Sequence, residues 1–154
     1  MKPFAHLAVT SMFALAAACA ATSVAAQPTS FATPDDAIKY RQSTLKEMQR
    51  NFKRVADMAS GRAPFDAPVA QESAQKAAEL IKLPWVAFGP GTEGGDAKPV
   101  VWREPAKFKE LAGKAEVAMA QVASAAKTGN LDALKATIGP AGASCKACHD
   151  VFRN

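Results

Sequence analysis

The sequence predicts an all-α protein: an antiparallel four-helix bundle with a long Gly/Pro-rich crossover loop between its second and third helices. Three observations lead there. Four stretches place apolar residues at alternating steps of three and four, the period of a helix with one buried face. No stretch alternates apolar and polar with the period of two that a half-buried strand needs. The residues between the stretches are those that cap and stop helices. At 154 residues the chain suffices for one domain with a real core.

The first helix opens at Thr33-Pro34-Asp35-Asp36. Thr33 can cap, Pro34 suits the first helical position, and the two acids suit the positive end of the helix dipole. It runs to about Ala59, with Gly61 just past its end. Ile38, Leu45, Phe52 and Ala59 fall on one heptad line, Met48 and Val55 on a second. Arg41 also falls on the second line, one turn from Leu45. Such an Arg either snorkels to solvent or faces an interior anion, and the second reading is preferred here.

After a connector rich in Gly, Pro and Asp (residues 61–68), the second helix is expected over Val69 to Lys82, with Ala70, Ala74, Ala77 and Ile81 as its inner stripe. From Leu83 to Trp102 the Gly and Pro content forbids a regular helix. A loop of roughly 20 residues is long for a compact domain and points to a functional segment. Its Trp85, Phe88 and Trp102 need burial; Trp102 is assigned to the outside of the bundle, Trp85 and Phe88 to the edge of a bound group. The glycines at 89, 91, 94 and 95 do not form a phosphate loop, because no Gly-Lys-Ser/Thr follows and no strand precedes.

The third helix begins at Glu104-Pro105 and reaches about Lys127, with Phe108, Leu111, Ala115, Ala118, Val122 and Ala125 as its stripe and Met119 beside it. Thr128-Gly129 ends it and Asn130 caps the next. The fourth runs from Leu131 to the end with the stripe Leu131, Leu134, Ile138, Ala141, Cys145, Cys148, Phe152. Pro140, inside this pattern, lacks an amide hydrogen and is expected to kink or restart the helix.

Cys145-Lys146-Ala147-Cys148-His149 is therefore a C-x-x-C-H motif on a core-facing helical stripe. It is the attachment pattern of c-type haem: two thiols three apart can join two vinyl groups, and the adjacent His can bind the iron. A redox cysteine pair leaves His149 without a purpose. A zinc site wants four ligands, and beyond residue 26 the chain has only these Cys and His residues.

Residues 1–26 read as a cleaved export signal, with Lys2, an apolar run from about Ala5 to Ala21, and Val24-Ala25-Ala26 before Gln27. Residues 27–154 then form the haem domain, expected to be soluble in the periplasm with no membrane insertion. Cys19 lacks the bulky apolar residue three positions upstream that lipid attachment wants, since Ala16 stands there. The formal charge is +5, but the Lys and Arg are scattered without an aromatic-interleaved basic run, so nucleic acid is not an expected partner. The modest positive charge suits an acidic redox partner.

His6 leaves with the signal, so His149 is the sole histidine and a second His ligand from the same mature chain is impossible. Met48, Met58 and Met119 remain as alternative sixth ligands, although core packing accounts for each. An iron held from one side would bind small diatomic gases such as NO and CO. A Met-ligated, low-spin iron would instead suit electron transfer. Peroxidase chemistry ranks last, because no distal His and Arg pair is in evidence, and the chain is not expected to be an enzyme.

From about Phe31 to Arg153 the sequence resembles the cytochrome c-prime family, the class II c-type cytochromes. The resemblance rests on Tyr40-Arg41-Gln42, Met48 with Asn51-Phe52, Leu83-Pro84-Trp85, the run Phe88 to Asp96, and Cys145 to Arg153. It implies one haem c per chain, held covalently by Cys145 and Cys148, with His149 as the only protein ligand to iron. It places Arg41 and Gln42 near the propionates, and Leu45, Trp85 and Phe88 on the open face. Arg153 falls by the proximal face, and Thr92, Glu93 and Asp96 approach the haem edge. It further implies a periplasmic homodimer joined through its first two helices, and NO scavenging or carriage.

Overall fold

The computed structural model describes residues 30–154; the expected signal segment, with His6 and Cys19, lies outside the described residues. Four long helices dominate: α1 (Pro34–Ala59), α2 (Ala67–Leu80), α4 (Pro105–Lys127) and α5 (Leu131–Phe152), with the short α3 (Val100–Arg103) just before α4. They form an antiparallel four-helix bundle in which α1 packs on α2, α2 on α4, and α4 on α5, while α1 and α5 meet over a shorter length. Among the described residues no helix is long and apolar enough to cross a membrane.

The caps act as their chemistry requires. Thr33 accepts a hydrogen bond from the Asp36 amide, Asp66 from that of Val69, and Asn130 from those of Asp132 and Ala133. Asp66, with Pro68 tolerated in the first turn, starts α2 at Ala67 rather than Val69. Gly61, at φ 76°, turns the chain after α1.

The core divides in two. One cluster joins Val55, Met58 and Ala59 of α1 to Ala70 and Ala74, to Val122 and Ala126, and to Leu134 and Ala141. The other joins Met48, Ala77, Ala78, Ile81 and Met119. On α1 the innermost line is Arg41, Met48 and Val55, whereas Ile38, Leu45 and Phe52 are half-buried. On α4 the expected Ala115, Ala118 and Val122 are buried, and the inner face extends to Ala112, Met119 and Ala126, while Leu111 and Ala125 of the expected stripe are only partly buried. Alanine on that line lets the neighbouring helices approach closely, and Met119 fills the space between them.

Pro140 does not break α5, which is helical through Phe152. Pro140 and Ala136, whose carbonyl loses its amide partner, are both exposed, so water serves that carbonyl and the ring finds room. The segment between α2 and α4 contains no long helix, as expected, but it is not featureless. Pro84–Phe88 is a 3₁₀ turn, and α3 adds one helical turn. The segment leaves α2 and enters α4 at the same end of the bundle, and it spans that end from α1 to the last turn of α5.

Candidate functional site: a cavity between α1 and the C-terminal turn of α5

Where α1 and α5 fail to close on each other, a cavity of about 640 Å³ opens, within the ~300–1,000 Å³ common for cofactor sites. One wall is α5. Cys145, Cys148 and His149 lie at i, i+3 and i+4, so a single helical face presents all three, with Phe152 one turn further. Lys146 and Asp150 occupy the opposite face and pair with each other at 2.6 Å. The facing wall is α1, with Gln42, Leu45, Lys46, Gln49 and Phe52. Trp85 and Phe88 from the 3₁₀ turn, Ile81 of α2 and Phe108 of α4 complete the apolar lining.

An aromatic chain holds that lining in place. Phe108 lies 4.8 Å from Phe88, 5.8 Å from Trp85 and 5.3 Å from Phe152, ring centre to ring centre. The loop also pins the last turn of α5. The Lys98 amide donates to Phe152 O, the Asn154 amide donates to Asp96 O (both 2.9 Å), and Arg153 Nη2 reaches Asp96 Oδ2 at 3.4 Å. His149 thus sits on a helix end that the loop ties down.

Burial pushes the thiols of Cys145 and Cys148 up from their ordinary value, and the first raises the second further. Both are unbridged and protonated at neutral pH. Desolvation in the cavity wall lowers His149; Arg153 adds to this and Asp150 opposes it. The imidazole is therefore neutral near pH 7, with a lone pair to give.

Among the described residues Arg41 is the one charged side chain of the core, only 2% exposed. Its Nη1 donates to Ala87 O at 2.7 Å and Thr92 O at 2.8 Å, and its Nη2 to Gly94 O at 2.8 Å. The guanidinium lies over Phe88 at 4.5 Å and near Trp102 at 5.5 Å. An interior anion is thus not needed to explain its burial, since loop carbonyls already receive three of its five N–H groups. Its pKa is lowered by desolvation, against which Glu93 acts.

Ten of the twelve sequence-predicted site residues line the cavity: Arg41, Gln42, Leu45, Trp85, Phe88, Asp96, Cys145, Cys148, His149 and Arg153. Thr92 and Glu93 do not. Thr92 serves Arg41 and the loop, donating to Gly89 O at 2.7 Å, and Glu93 is exposed beside the Gly91 amide. Lys46, Gln49, Phe52, Phe108 and Phe152 line the cavity and were not singled out by the sequence. Phe52, Phe108 and Phe152 had a signal, lying on predicted stripes within a turn or two of it. Trp102 keeps to the outside, donating to Gly89 O at 3.0 Å. Of the three candidate methionines only Met48 reaches the cavity.

A haem fits what is here. Trp85 Nε1 is a buried donor with no partner, and Arg41, on the same lining, has N–H groups left over. Haem carries two carboxylates that can accept from such donors. A protein-only metal site does not fit: among the described residues no three His, Cys, Asp or Glu side chains are grouped to hold an ion.

Bundle and cavity together define a helical c-type haem protein. The family model for cytochrome c' matches residues 36–153. Cytochrome c' of Alcaligenes xylosoxydans xylosoxydans is 46% identical over 123 residues, covering 80% of this chain and 97% of that protein. Cytochrome c' of Rubrivivax gelatinosus is 48% identical over 126 residues, covering 80% and 98%. The crystal structure of the Rubrivivax protein superposes with a TM-score of 0.78, covering 81% of this chain and 100% of that one. A nitric oxide complex of a variant from Alcaligenes xylosoxidans superposes equally well, at 45% identity and 99% of its length. The chain belongs to the cytochrome c' family.

Proposed function

We propose that the protein is a periplasmic cytochrome with one covalently held, five-coordinate, high-spin haem that binds NO and CO and exchanges single electrons. Cys145 and Cys148 would hold the haem covalently through thioether links to its vinyl groups, and His149 would be its protein ligand to iron. When bound, the haem supplies an iron with an open coordination position and a one-electron couple. The observation that carries this reading is the side chain of Leu45, which offers hydrocarbon and no lone pair on an α1 wall it shares with Gln42, Lys46, Met48 and Gln49, together with the lack of any histidine but His149 in residues 27–154. NO and CO, unlike O₂, do not depend on a hydrogen-bond donor beside the iron, and Leu45 supplies none. The nitric oxide complex of the Alcaligenes relative supports the choice of ligand.

The other properties follow as parts of the same proposal. Export to the periplasm is supported by the character of residues 1–26. Pairing of two copies through α1 and α2 follows from the family resemblance, as does an unidentified redox partner. The protein is read as a carrier or scavenger and not as an enzyme.

A second reading has one observation in its favour. Met48 is buried and lines the cavity, so its sulfur is available as a sixth ligand. The absorption spectra of the ferric and ferrous holoprotein, with and without NO, separate the two. High-spin spectra that change on adding NO support the first reading; a low-spin, Met-ligated ferrous band pattern indifferent to NO overturns it.

A further inference from the structure

The crossover segment is fastened to α1 by an interaction that the motif alone does not require. Arg41 crosses from α1 into the loop and gathers three carbonyls, those of Ala87, Thr92 and Gly94, while its plane rests on Phe88. Ala87 immediately precedes Phe88, and the turn is closed on itself by Thr92 Oγ1 donating to Gly89 O. Gly94 and Gly95, at φ 124° and 61°, bring the backbone against Ile38 and Gln42. A Cβ at Gly95 would come 2.9 Å from Gln42 Nε2 and 3.1 Å from Ile38 Cγ2, and its φ of 61° strains any other residue, so glycine is favoured in this seat. Long Gly/Pro-rich segments are otherwise mobile, and this one carries both Trp85 and Phe88 into the cavity wall.

We propose that Arg41 is a positioning residue for gas entry: by clamping the 87–94 turn onto α1 it fixes Phe88 in the wall of the cavity that Leu45 also lines, and so sets how fast a diatomic ligand reaches the site. This rests on the gas-binding reading and adds a rate-setting device to it. Arg41 acts through Phe88 and the loop; its charge is a means of gathering carbonyls, which Lys, with a single ammonium and no planar fork, does less well.

The test is CO recombination after flash photolysis of the ferrous holoprotein, for wild type, Arg41→Gln, Arg41→Lys and Gly95→Ala. Wild-type CO binding checks the underlying reading by itself: no CO adduct in wild type defeats that reading, whatever the variants do. Given wild-type binding, Arg41→Gln is expected to raise the association rate about tenfold, equivalent to a barrier lower by about 1.4 kcal/mol. Arg41→Lys is expected to fall between the two. Gly95→Ala disturbs the same seat without touching the buried charge and is expected to move the rate in the same direction. It carries the test alone if Arg41→Gln does not fold. A wild-type association rate in folded Arg41→Gln or in Gly95→Ala overturns the proposal. So does a result in which Arg41→Gln changes only the reduction potential, the signature of a charge acting directly on the haem.

Discussion

Replacing Trp85 with Phe removes one N–H and keeps an aromatic ring, and the sign of its effect depends on what fills the cavity. In the protein alone Trp85 Nε1 is buried without an acceptor. Such a donor costs about 1–3 kcal/mol, and a hydrogen bond to a charged acceptor contributes about 1.5–3 kcal/mol. The smaller ring loses roughly 1 kcal/mol of packing against Phe88 and Phe108. If a haem carboxylate meets the indole, both losses add, and Trp85→Phe holoprotein is destabilised by roughly 2.5–4 kcal/mol. If nothing meets it, removing the orphan offsets the packing loss and the variant is as stable as wild type or more so. Urea unfolding of the ferric holoproteins, followed by far-UV circular dichroism, reads the difference directly. An unchanged or raised midpoint at constant slope would refute the assignment of Trp85 as a donor to the bound group.

Three further outcomes are expected. Leu45→Ala opens the α1 wall, so CO affinity and association rate both rise; unchanged values count against the pocket assignment. Pro140→Ala restores an amide inside an unbroken, exposed stretch of α5 and is expected to raise stability by about 1–3 kcal/mol in thermal unfolding; a lower Tm would show that Pro140 shapes the helix after all. The carboxyl of Asp57 is held below its ordinary value chiefly by hydrogen bonds from Lys53 and Arg62. Its folded pKa being depressed, its contribution is present above the unfolded value near 4 and is lost as pH falls through the folded one. Asp57→Asn should therefore lower Tm at pH 7 and lower it by progressively less as pH falls below about 4, and a loss that does not shrink with falling pH would remove the ion pairs from the explanation.

Much of this arrangement was legible in the sequence because it depends on short-range pattern. The helix ends were readable from Thr33, Asn130 and Gly61, and the motif from Cys145, Cys148 and His149. Arg41 stood out because a cation on an apolar line needs partners. Those partners were not readable: they are backbone carbonyls and ring faces, supplied by a Gly/Pro-rich segment whose path no periodicity encodes. For the same reason the bonds between Arg41 and Thr92 were not readable. Pro140 misled because a helix tolerates a proline where the orphaned carbonyl faces water, and exposure is a tertiary property. The extension of the α4 inner face had the same origin, since the burial of the alanines at 112 and 126 depends on the neighbouring helices and not on α4's own period.

We propose that this chain binds iron on one side alone, through His149, and that Met48, although it lines the cavity beside Leu45's helix face, does not bind it. Electron paramagnetic resonance of the ferric holoprotein at neutral pH tests it most directly. A high-spin signal that Met48→Leu leaves unchanged is the expected result. A low-spin signal that Met48→Leu converts to high-spin would contradict it.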